Sequence, residues 1–227
     1  MRQISILFFG SSANSLIVKN ALIKAGYVIV DQPNKANLVI SADYGEKLPA
    51  GGLNLHPSLL PKYRGPTPVP YQILNQEKES GISIIKMTDQ FDAGPLIAQE
   101  KVPILADDTA PDLLKRCFTS GAQLLIKILP DYLNTKITLL PQDESQATST
   151  RKFTKADGYI SWGEFKTNRL SPEFDRKIRA LFPWPGVWTN LPNGKTLKLL
   201  PKNLLQLEGK QPITFRQFLA GYRHLLQ

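Results

Sequence analysis

The feature that most constrains the fold is the alternation of short apolar segments with helical patterns along the first half of the chain. Ile4–Phe9, Tyr27–Val30 and Asn37–Ala42 are mostly apolar, as are strands that are buried on both faces. A helical pattern fills the space between the first two and runs through Ala25, where Gly26 stops it. This alternation predicts an α/β domain with a Rossmann-like, mostly parallel sheet.

The same patterns continue further along the chain. One connection is anomalous, because only Gln32–Lys35 separates two predicted strands, whereas a parallel crossover usually needs about a dozen residues. Either one helical turn bridges these strands or they pair with other neighbours. The remaining predicted elements are a strand ending at Leu53–Leu55, a helix at Thr67–Asn75, a strand at Gly81–Met87, an edge strand at Leu96–Pro103 and a long amphipathic helix over Thr109–Leu133 capped by Thr109.

Composition narrows the class of protein. No stretch approaches the eighteen or more uncharged apolar residues typical of a membrane-spanning helix, so we expect no membrane partner. The single cysteine, Cys117, excludes a disulfide framework and a cysteine metal cluster, and its place in an amphipathic helix favours a buried, inert thiol. We therefore expect a cytoplasmic protein.

The positive charge is concentrated in the last third of the chain. Residues 1–150 hold 14 Lys and Arg and 14 Asp and Glu, whereas residues 151–227 hold 14 and five, so the whole net charge of +9 lies in the second segment. Such a surplus in a small region favours a polyanionic partner over a merely solvated basic face. Phosphate contacts of this kind would supply affinity rather than sequence reading.

The strongest candidate for a catalytic site is the segment 54–58, with the sequence Asn-Leu-His-Pro-Ser. In a strand its spacing points Asn54 and His56 to the same face. His56 is one of only two histidines, the other being His224. A plain strand end and turn would also contain Asn and Pro. The long loop that follows, rich in Pro and Gly, favours chemistry, because α/β proteins place their sites on such loops.

Two motifs resemble those of folate-dependent formyltransferases. Residues 54–65, with the sequence Asn-Leu-His-Pro-Ser-Leu-Leu-Pro-Lys-Tyr-Arg-Gly, are similar to the signature of this family. Residues 87–95, with the sequence Met-Thr-Asp-Gln-Phe-Asp-Ala-Gly-Pro, are similar to its second motif. Alone, Asp92 would be interpreted as a turn aspartate. The resemblance implies transfer of a formyl group from 10-formyltetrahydrofolate to a primary amine, without a metal or a covalent intermediate.

The same resemblance implies roles for individual residues. Asn54 would donate to the formyl oxygen as it becomes an oxyanion, a contribution of about 10²–10³ in rate for such donors. His56 would polarise that oxygen or shuttle the proton, and Asp92 would orient His56 and accept a proton through water, a role worth roughly 10²–10⁴. Which of His56 and Asp92 takes the amine proton first stays open. The expected folate-binding residues are Tyr44, Gly45, Glu46, Lys47, Leu48, Gln90 and Phe91.

The C-terminal part is similar to the methionyl-tRNA formyltransferases in particular, through residues 154–162 and 178–189. This implies a catalytic domain over 1–138, a linker over 139–157 and a basic domain over 158–227 with a shortened barrel-like (OB-type) fold. It also implies that the acceptor is the methionine amino group of initiator methionyl-tRNA, in translation initiation, and that the protein acts as a monomer. The expected acceptor-binding residues are Ser11, Ser12, Lys62, Arg64, Arg176, Lys177 and Arg179.

Several alternatives stay open. Relatives carry a basic tRNA-contacting loop where this chain has only residues 31–36, which would also fit a formyltransferase that acts on an amino-sugar nucleotide. A purine-pathway formyltransferase is disfavoured because it would lack the basic last third, and a non-catalytic RNA-binding relative would not need Asn54, His56 and Asp92. Lys62 and Arg64 are equally consistent with solvated loop charges. Trp184 is expected to pack a small core of its own, with stacking on a base as the alternative.

Overall fold

The computed structural model describes residues 3–46 and 48–226. They form two sheets, each with its own hydrophobic cluster. The larger sheet has six strands in the order β2-β1-β3-β4-β5-β6. Its strands are β1 (Ser5–Phe9), β2 (Val28–Val30), β3 (Leu38–Ala42), β4 (Leu53–His56), β5 (Glu79–Lys86) and β6 (Leu96–Pro103).

The predicted α/β sheet is confirmed. Strands β2, β1, β3 and β4 are parallel, and β5 and β6 add an antiparallel edge. The carboxyl ends of the parallel strands therefore meet at one edge of the sheet, where α/β proteins usually place their sites. Three helices accompany this sheet, α1 (Ala13–Lys24), α2 (Pro68–Leu74) and α3 (Ala110–Leu133).

The short connection between β2 and β3 combines the two options that the sequence left open. A single 3₁₀ turn, Pro33–Lys35, bridges the strands, and they do not pair with each other because β1 lies between them. Strand β2 has only three residues and ends opposite Leu7, while β3 begins opposite Ile6. The chain therefore only has to cross one strand and hardly travels along it, which a few residues can do.

The long helix α3 forms as its sequence predicts. The Thr109 side chain accepts from the backbone N–H of Asp112, and the Asp112 carboxylate accepts in return from the Thr109 N–H at 3.1 Å, which completes a capping box. The inward face buries Leu113, Phe118 and Leu125 against the sheet. Each such side chain contributes roughly 1.5–3 kcal/mol of burial free energy.

The second sheet is antiparallel, in the order β10-β9-β8-β7. Within the part of the chain that the structure describes, its outer strands β10 and β7 do not pair with each other, so the predicted OB-type barrel is not confirmed. Phe165, Phe174 and Phe218 are buried in its core. Its elements are β7 (Val187–Asn190), β8 (Thr196–Leu200), β9 (Leu204–Leu207), β10 (Ile213–Thr214), α4 (Trp162–Asn168), α5 (Pro172–Leu181) and α6 (Phe215–Tyr222).

The predicted linker, residues 139–157, follows the surface of the first sheet's domain. Leu140 forms a β-bridge with Leu96, and Ser149 forms one with Arg64. Helix α5 also contributes Ala180 to the first hydrophobic cluster. The structure has two hydrophobic clusters, but the predicted linker and helix α5 both pack on the first domain. The domain boundaries at 138 and 158 therefore stay a prediction. None of the helices in the described ranges is long and apolar enough to span a membrane.

Candidate active site

Strand β4 and two loops bring three polar side chains together at the carboxyl edge of the sheet. Asn54 and His56 lie two residues apart on β4, as the strand spacing predicts. Asp92 comes from the loop between β5 and β6, and its Oδ1 lies 3.4 Å from both Asn54 Nδ2 and His56 Nδ1. The structure thus brings together the three predicted catalytic residues, which sequence separates by up to 38 positions.

His56 is held on both sides of its ring. It is 4% exposed, and its Nε2 lies 2.9 Å from the carbonyl oxygen of Tyr63. Because a carbonyl oxygen can only accept, Nε2 must carry the hydrogen. The opposite nitrogen, Nδ1, therefore faces the Asp92 carboxyl group, and that contact is attractive only when a proton lies between the two atoms. The structure thus sets the Nδ1 atom of His56 3.4 Å from the Asp92 carboxyl group, with both side chains largely buried.

Asp92 is fixed by backbone groups. Its Oδ2 accepts from the N–H of Gly65 at 2.8 Å. Its φ is +54°, an uncommon conformation for a residue other than glycine, and one that costs free energy unless neighbouring contacts hold it. Two residues later, a side chain at Gly94 would overlap the carbonyl group of Lys86, so the turn can only close with glycine there.

This arrangement matches the requirements of acyl transfer between nitrogens. Asn54 offers amide hydrogens, which can stabilise an oxyanion. The His56 and Asp92 pair can take a proton from an attacking amine and return it to a leaving nitrogen. Among the described residues, no group of three or more His, Cys, Asp and Glu could hold a metal ion.

One residue that contacts the site and that sequence reasoning missed is Gln142, in the predicted linker. Its Nε2 donates to the carbonyl oxygens of Asp92 and Gly94, both at 2.7 Å. Its Oε1 accepts from the Arg64 guanidinium at 2.8 and 3.1 Å. Gln142 lies 50 residues from Asp92, so no local pattern in the sequence signals this contact.

The structure gives Arg64 a different role from the predicted one. Its side chain is 12% exposed and binds Gln142 and Glu144, with both Glu144 carboxylate oxygens within 2.8 Å. The hydrogen bond with Glu144 raises the pKa of Arg64, and the same bond lowers the pKa of Glu144. A guanidinium occupied in this way is neither a phosphate-binding group nor a solvated charge. Lys62 is exposed, as either prediction requires.

The predicted folate-binding segment lies beyond the carboxyl end of β3, at the same edge as Asn54. Tyr44 packs against Phe9, with ring centroids 5.4 Å apart, and its hydroxyl donates to Glu46 at 3.1 Å. That hydrogen bond raises the pKa of Tyr44. Lys47 lies outside the described residues. Of the other predicted contacts, Leu48 is half-buried, while Gly45, Glu46, Gln90 and Phe91 are exposed.

The two predicted acceptor-binding serines differ. Ser11 is exposed. Ser12 is the N-cap of α1: its hydroxyl accepts from the N–H of Ser15 at 3.1 Å and donates to Asp43 at 2.5 Å. The hydroxyl of Ser12 is thus used to build the turn, so Ser11 is the better candidate for a substrate contact.

Only part of the predicted basic face of α5 is exposed for contact with an acceptor. Arg179 donates to Asp175 at 2.7 Å and to the carbonyl oxygen of Asp108 at 2.9 Å, so it joins α5 to the first sheet's domain. Its side chain is 15% exposed. Arg176 and Lys177 are half-buried. Arg179 therefore joins two structural elements, and its predicted contact with the acceptor stays a prediction.

Trp184 is 64% exposed, so the prediction that it packs a core of its own is wrong. It lines a groove of about 620 Å³ on the second sheet's domain, together with Trp188 and Lys198. Lys155, on the same groove, places its Nζ 5.1 Å from the centre of the Trp188 ring. The groove thus combines aromatic faces with cations, as nucleic-acid-binding surfaces do.

Comparisons with known proteins identify relatives of this chain. Residues 23–129 match the formyl transferase family. The methionyl-tRNA formyltransferase of Dictyoglomus thermophilum is 34% identical over 233 residues, covering 83% of this chain and 73% of the relative. That of Roseiflexus sp. is 38% identical over 174 residues, covering 73% of this chain and 52% of the relative. This chain therefore spans only about half the length of some curated relatives.

A solved structure shares the fold. It is the N-formyltransferase from Helicobacter canadensis in complex with folinic acid and dTDP-3-aminofucose, with a TM-score of 0.67 and 20% identity. The match covers 90% of this chain and 88% of that one. The identity to the curated relatives over most of its length shows that this chain belongs to the methionyl-tRNA formyltransferase family of formyl-transferring enzymes.

Proposed function

We propose that this protein transfers the formyl group of 10-formyltetrahydrofolate to the amino group of methionine on initiator methionyl-tRNA. The observation that carries the proposal is the contact of Asn54, His56 and Asp92 at the open edge of the sheet. A chain that only bound RNA would gain nothing from burying a histidine against an aspartate. In this function the protein acts in the cytoplasm, in translation initiation.

Asn54 is the proposed oxyanion donor. One hydrogen of its Nδ2 is directed at Asp92, across 3.4 Å, which fixes the plane of the amide. Because both amide hydrogens lie in this plane, the direction of the second hydrogen is fixed as well. It can donate to the formyl oxygen as negative charge develops on that oxygen. A fixed donor of this kind is worth about 10²–10³ in rate because it pays no reorganisation cost during the reaction.

His56 and Asp92 are the proposed proton carriers. The bond from Nε2 to the Tyr63 carbonyl leaves Nδ1 and the carboxylate as the pair that exchanges protons. When the amine attacks the formyl carbon it must lose a proton, and the folate nitrogen must gain one before it can leave. The proposed pair accepts the proton from the amine and then donates it to the folate nitrogen. General acid–base catalysis of this kind raises the rate by roughly 10²–10⁴-fold.

The proposed folate site is the segment around Tyr44 to Leu48, with Gln90 and Phe91 across from it. Backbone groups of an irregular segment can match the donors and acceptors of a pterin ring without particular side chains. At Gly45 the surroundings are open enough that even a side chain would meet no neighbour, so a flat ring can approach the backbone. The exposed Phe91 ring offers an apolar face to the co-substrate.

The proposed RNA-binding surface is formed by residues 151–227, which comprise the end of the linker and the second domain and carry a net charge of +9. Lys155, Trp184 and Lys198 on its groove can contact phosphates and a base. Arg176 and Lys177 are the better candidates for phosphate contacts, because the Arg179 guanidinium already donates to Asp175 and Asp108. The OB-type fold and the monomeric state are parts of this proposal that stay predictions.

The alternative acceptor is an amino-sugar nucleotide. The observation that favours it is the likeness in size and fold to the Helicobacter canadensis enzyme, of which this chain covers 88%. The short connection between β2 and β3, which stands where relatives carry the tRNA-contacting loop, also fits a small acceptor. Neither observation explains the concentration of positive charge in residues 151–227, and identity to the methionyl-tRNA enzymes is higher.

A direct comparison of acceptors tests the proposal. The protein is incubated with 10-formyltetrahydrofolate and either methionyl initiator tRNA or a dTDP-amino sugar, and formylated product is counted. We expect transfer to the tRNA, weakened steeply by salt because phosphate contacts release counterions. Transfer to the sugar nucleotide alone would establish the alternative. Transfer to neither, with folate bound, would overturn both.

A further inference from the structure

We propose that Gln142 is a positioning residue for the catalytic Asp92, and that Gln142, Thr148 and Thr150 together hold the reacting groups in register. The inference rests on the proposed function, because formyl transfer is one of its readouts. It concerns a segment that the sequence presents as a polar linker. The contacts of this segment divide into those that hold the Asp92 turn and those that hold the loop at Tyr63 and Arg64, which binds His56.

The first set fixes the backbone that carries Asp92. The amide nitrogen of Gln142 donates to the carbonyl oxygens of Asp92 and Gly94, and so spans the turn between them. Asp92 has a positive φ, which an unrestrained aspartate would leave for a lower-energy conformation. Two hydrogen bonds of 2.7 Å oppose that relaxation and keep the carboxylate beside His56.

The second set fixes the loop that orients His56. Thr148 accepts from the N–H of Tyr63 at 2.8 Å through its hydroxyl, and its carbonyl accepts from the N–H of Arg64 at 2.8 Å. The N–H of Thr150 donates to the Arg64 carbonyl at 2.7 Å. Tyr63 supplies the carbonyl that binds Nε2 of His56. The same short segment therefore sets both partners of the contact between His56 and Asp92.

Arg64 connects the two sets. Its guanidinium donates to Oε1 of Gln142, which fixes the amide so that its nitrogen faces Asp92 rather than its oxygen. Glu144 closes the other side of the guanidinium and is 69% exposed. A glutamine in an unfixed orientation would present oxygen to two carbonyl groups half of the time. Arg64 thus makes Gln142 a donor to the Asp92 turn.

Two substitutions at Gln142 test the inference. Gln142→Ala removes the donors and the acceptor, and Gln142→Glu keeps the length and the Arg64 contact but replaces the donors by an acceptor. We expect both to lower kcat by about 10- to 100-fold, the effect of a small displacement of a catalytic group, with KM for folate changed less than about threefold. The matched control is Gln146→Ala, an exposed glutamine in the same segment that binds only Asp143 in the structure.

A second readout does not depend on the acceptor. The amide proton of Gly65 donates to the Asp92 carboxylate, so its NMR chemical shift reports where that carboxylate lies. We expect the Gly65 amide signal to move upfield in both Gln142 variants and to stay in place in Gln146→Ala. If wild-type protein formylates neither acceptor, the proposed function fails while this NMR result still decides the inference.

The inference would be overturned by wild-type kcat in both Gln142 variants. It would be overturned equally by an unmoved Gly65 signal, or by a loss of activity that lies wholly in KM. Thermal unfolding separates these results from a general loss of structure. Should Gln142→Ala prove unfolded, Gln142→Glu, which keeps the volume and the Arg64 contact, decides the matter on the same two readouts.

Discussion

The replacement Asp92→Asn isolates the charge of the aspartate from its shape. In the structure Oδ2 accepts from the Gly65 N–H at 2.8 Å, while Oδ1 lies 3.4 Å from His56 Nδ1. The asparagine side chain keeps one oxygen, and we expect this oxygen to accept the shorter hydrogen bond, from the Gly65 N–H. Its NH₂ group then faces His56, where it can donate to Nδ1 but cannot accept a proton.

The magnitude follows from that loss. A general base is worth roughly 10²–10⁴ in rate, which at 1.36 kcal/mol per decade corresponds to about 2.7–5.4 kcal/mol in the activation free energy. The stability change should be smaller, about 1 kcal/mol, because one charge-assisted hydrogen bond becomes a neutral one. For a chain of this size, that shifts Tm by only about 2–4 °C.

Single-turnover formyl transfer at saturating folate measures this directly, since it excludes product release. The control is Asp89→Asn, an exposed aspartate three positions earlier in the same loop. We expect Asp89→Asn to retain the wild-type rate and Asp92→Asn to lose at least 100-fold at nearly unchanged KM. A rate for Asp92→Asn within tenfold of the wild type would refute the assignment of Asp92 as proton acceptor.

Three further predictions concern the turn, the thiol and the groove. Gly94→Ala should abolish activity and lower Tm, because its methyl group would overlap the Lys86 carbonyl; activity above a tenth of wild type would contradict this. Burial raises the pKa of the Cys117 thiol to about 11, so alkylation at pH 8 should be about 100-fold slower than in the unfolded chain, and rapid labelling of the native protein would disprove this. Trp184→Ala should weaken tRNA binding by roughly 1–3 kcal/mol without changing Tm, and unchanged tRNA affinity would remove the groove from the RNA surface.

The sign of the Cys117 effect on stability also follows. The folded state keeps the thiol protonated to a higher pH than the unfolded state does, because burial raises its pKa from the ordinary 9.0 to about 11. Above pH 9 the unfolded chain therefore binds fewer protons than the folded one. The contribution of this group to stability is complete below pH 9 and is lost as the pH rises toward 11.

The sequence allowed prediction wherever the determining contacts are local. Thr109 caps α3 because its partner Asp112 lies three residues away, and strand spacing puts Asn54 and His56 on one face. The strand order could not be predicted at residues 31–36, because it depends on β1 lying between β2 and β3. The local sequence pattern of two strands does not indicate which other strand lies between them.

Where the structure departs from the sequence-based expectations, the deciding feature is tertiary structure, which local patterns do not contain. In the sequence, Arg64 resembles an unpaired loop cation. In the structure its guanidinium donates to Gln142 and Glu144, which follow about 80 residues later. Arg179 similarly finds the Asp108 carbonyl 71 residues earlier. Trp184 was expected to pack a small core of its own, yet the surrounding fold leaves its side chain exposed. In each case tertiary packing decides the role of the side chain.

The most direct test of the central claim is formyl transfer from 10-formyltetrahydrofolate to methionyl initiator tRNA by the wild-type protein and by His56→Ala, side by side. The account predicts transfer by the wild type and its loss in the variant, with folate binding preserved in both. Transfer that survives in His56→Ala would contradict the assigned site. Absence of transfer by a folate-bound wild type would contradict the assigned acceptor.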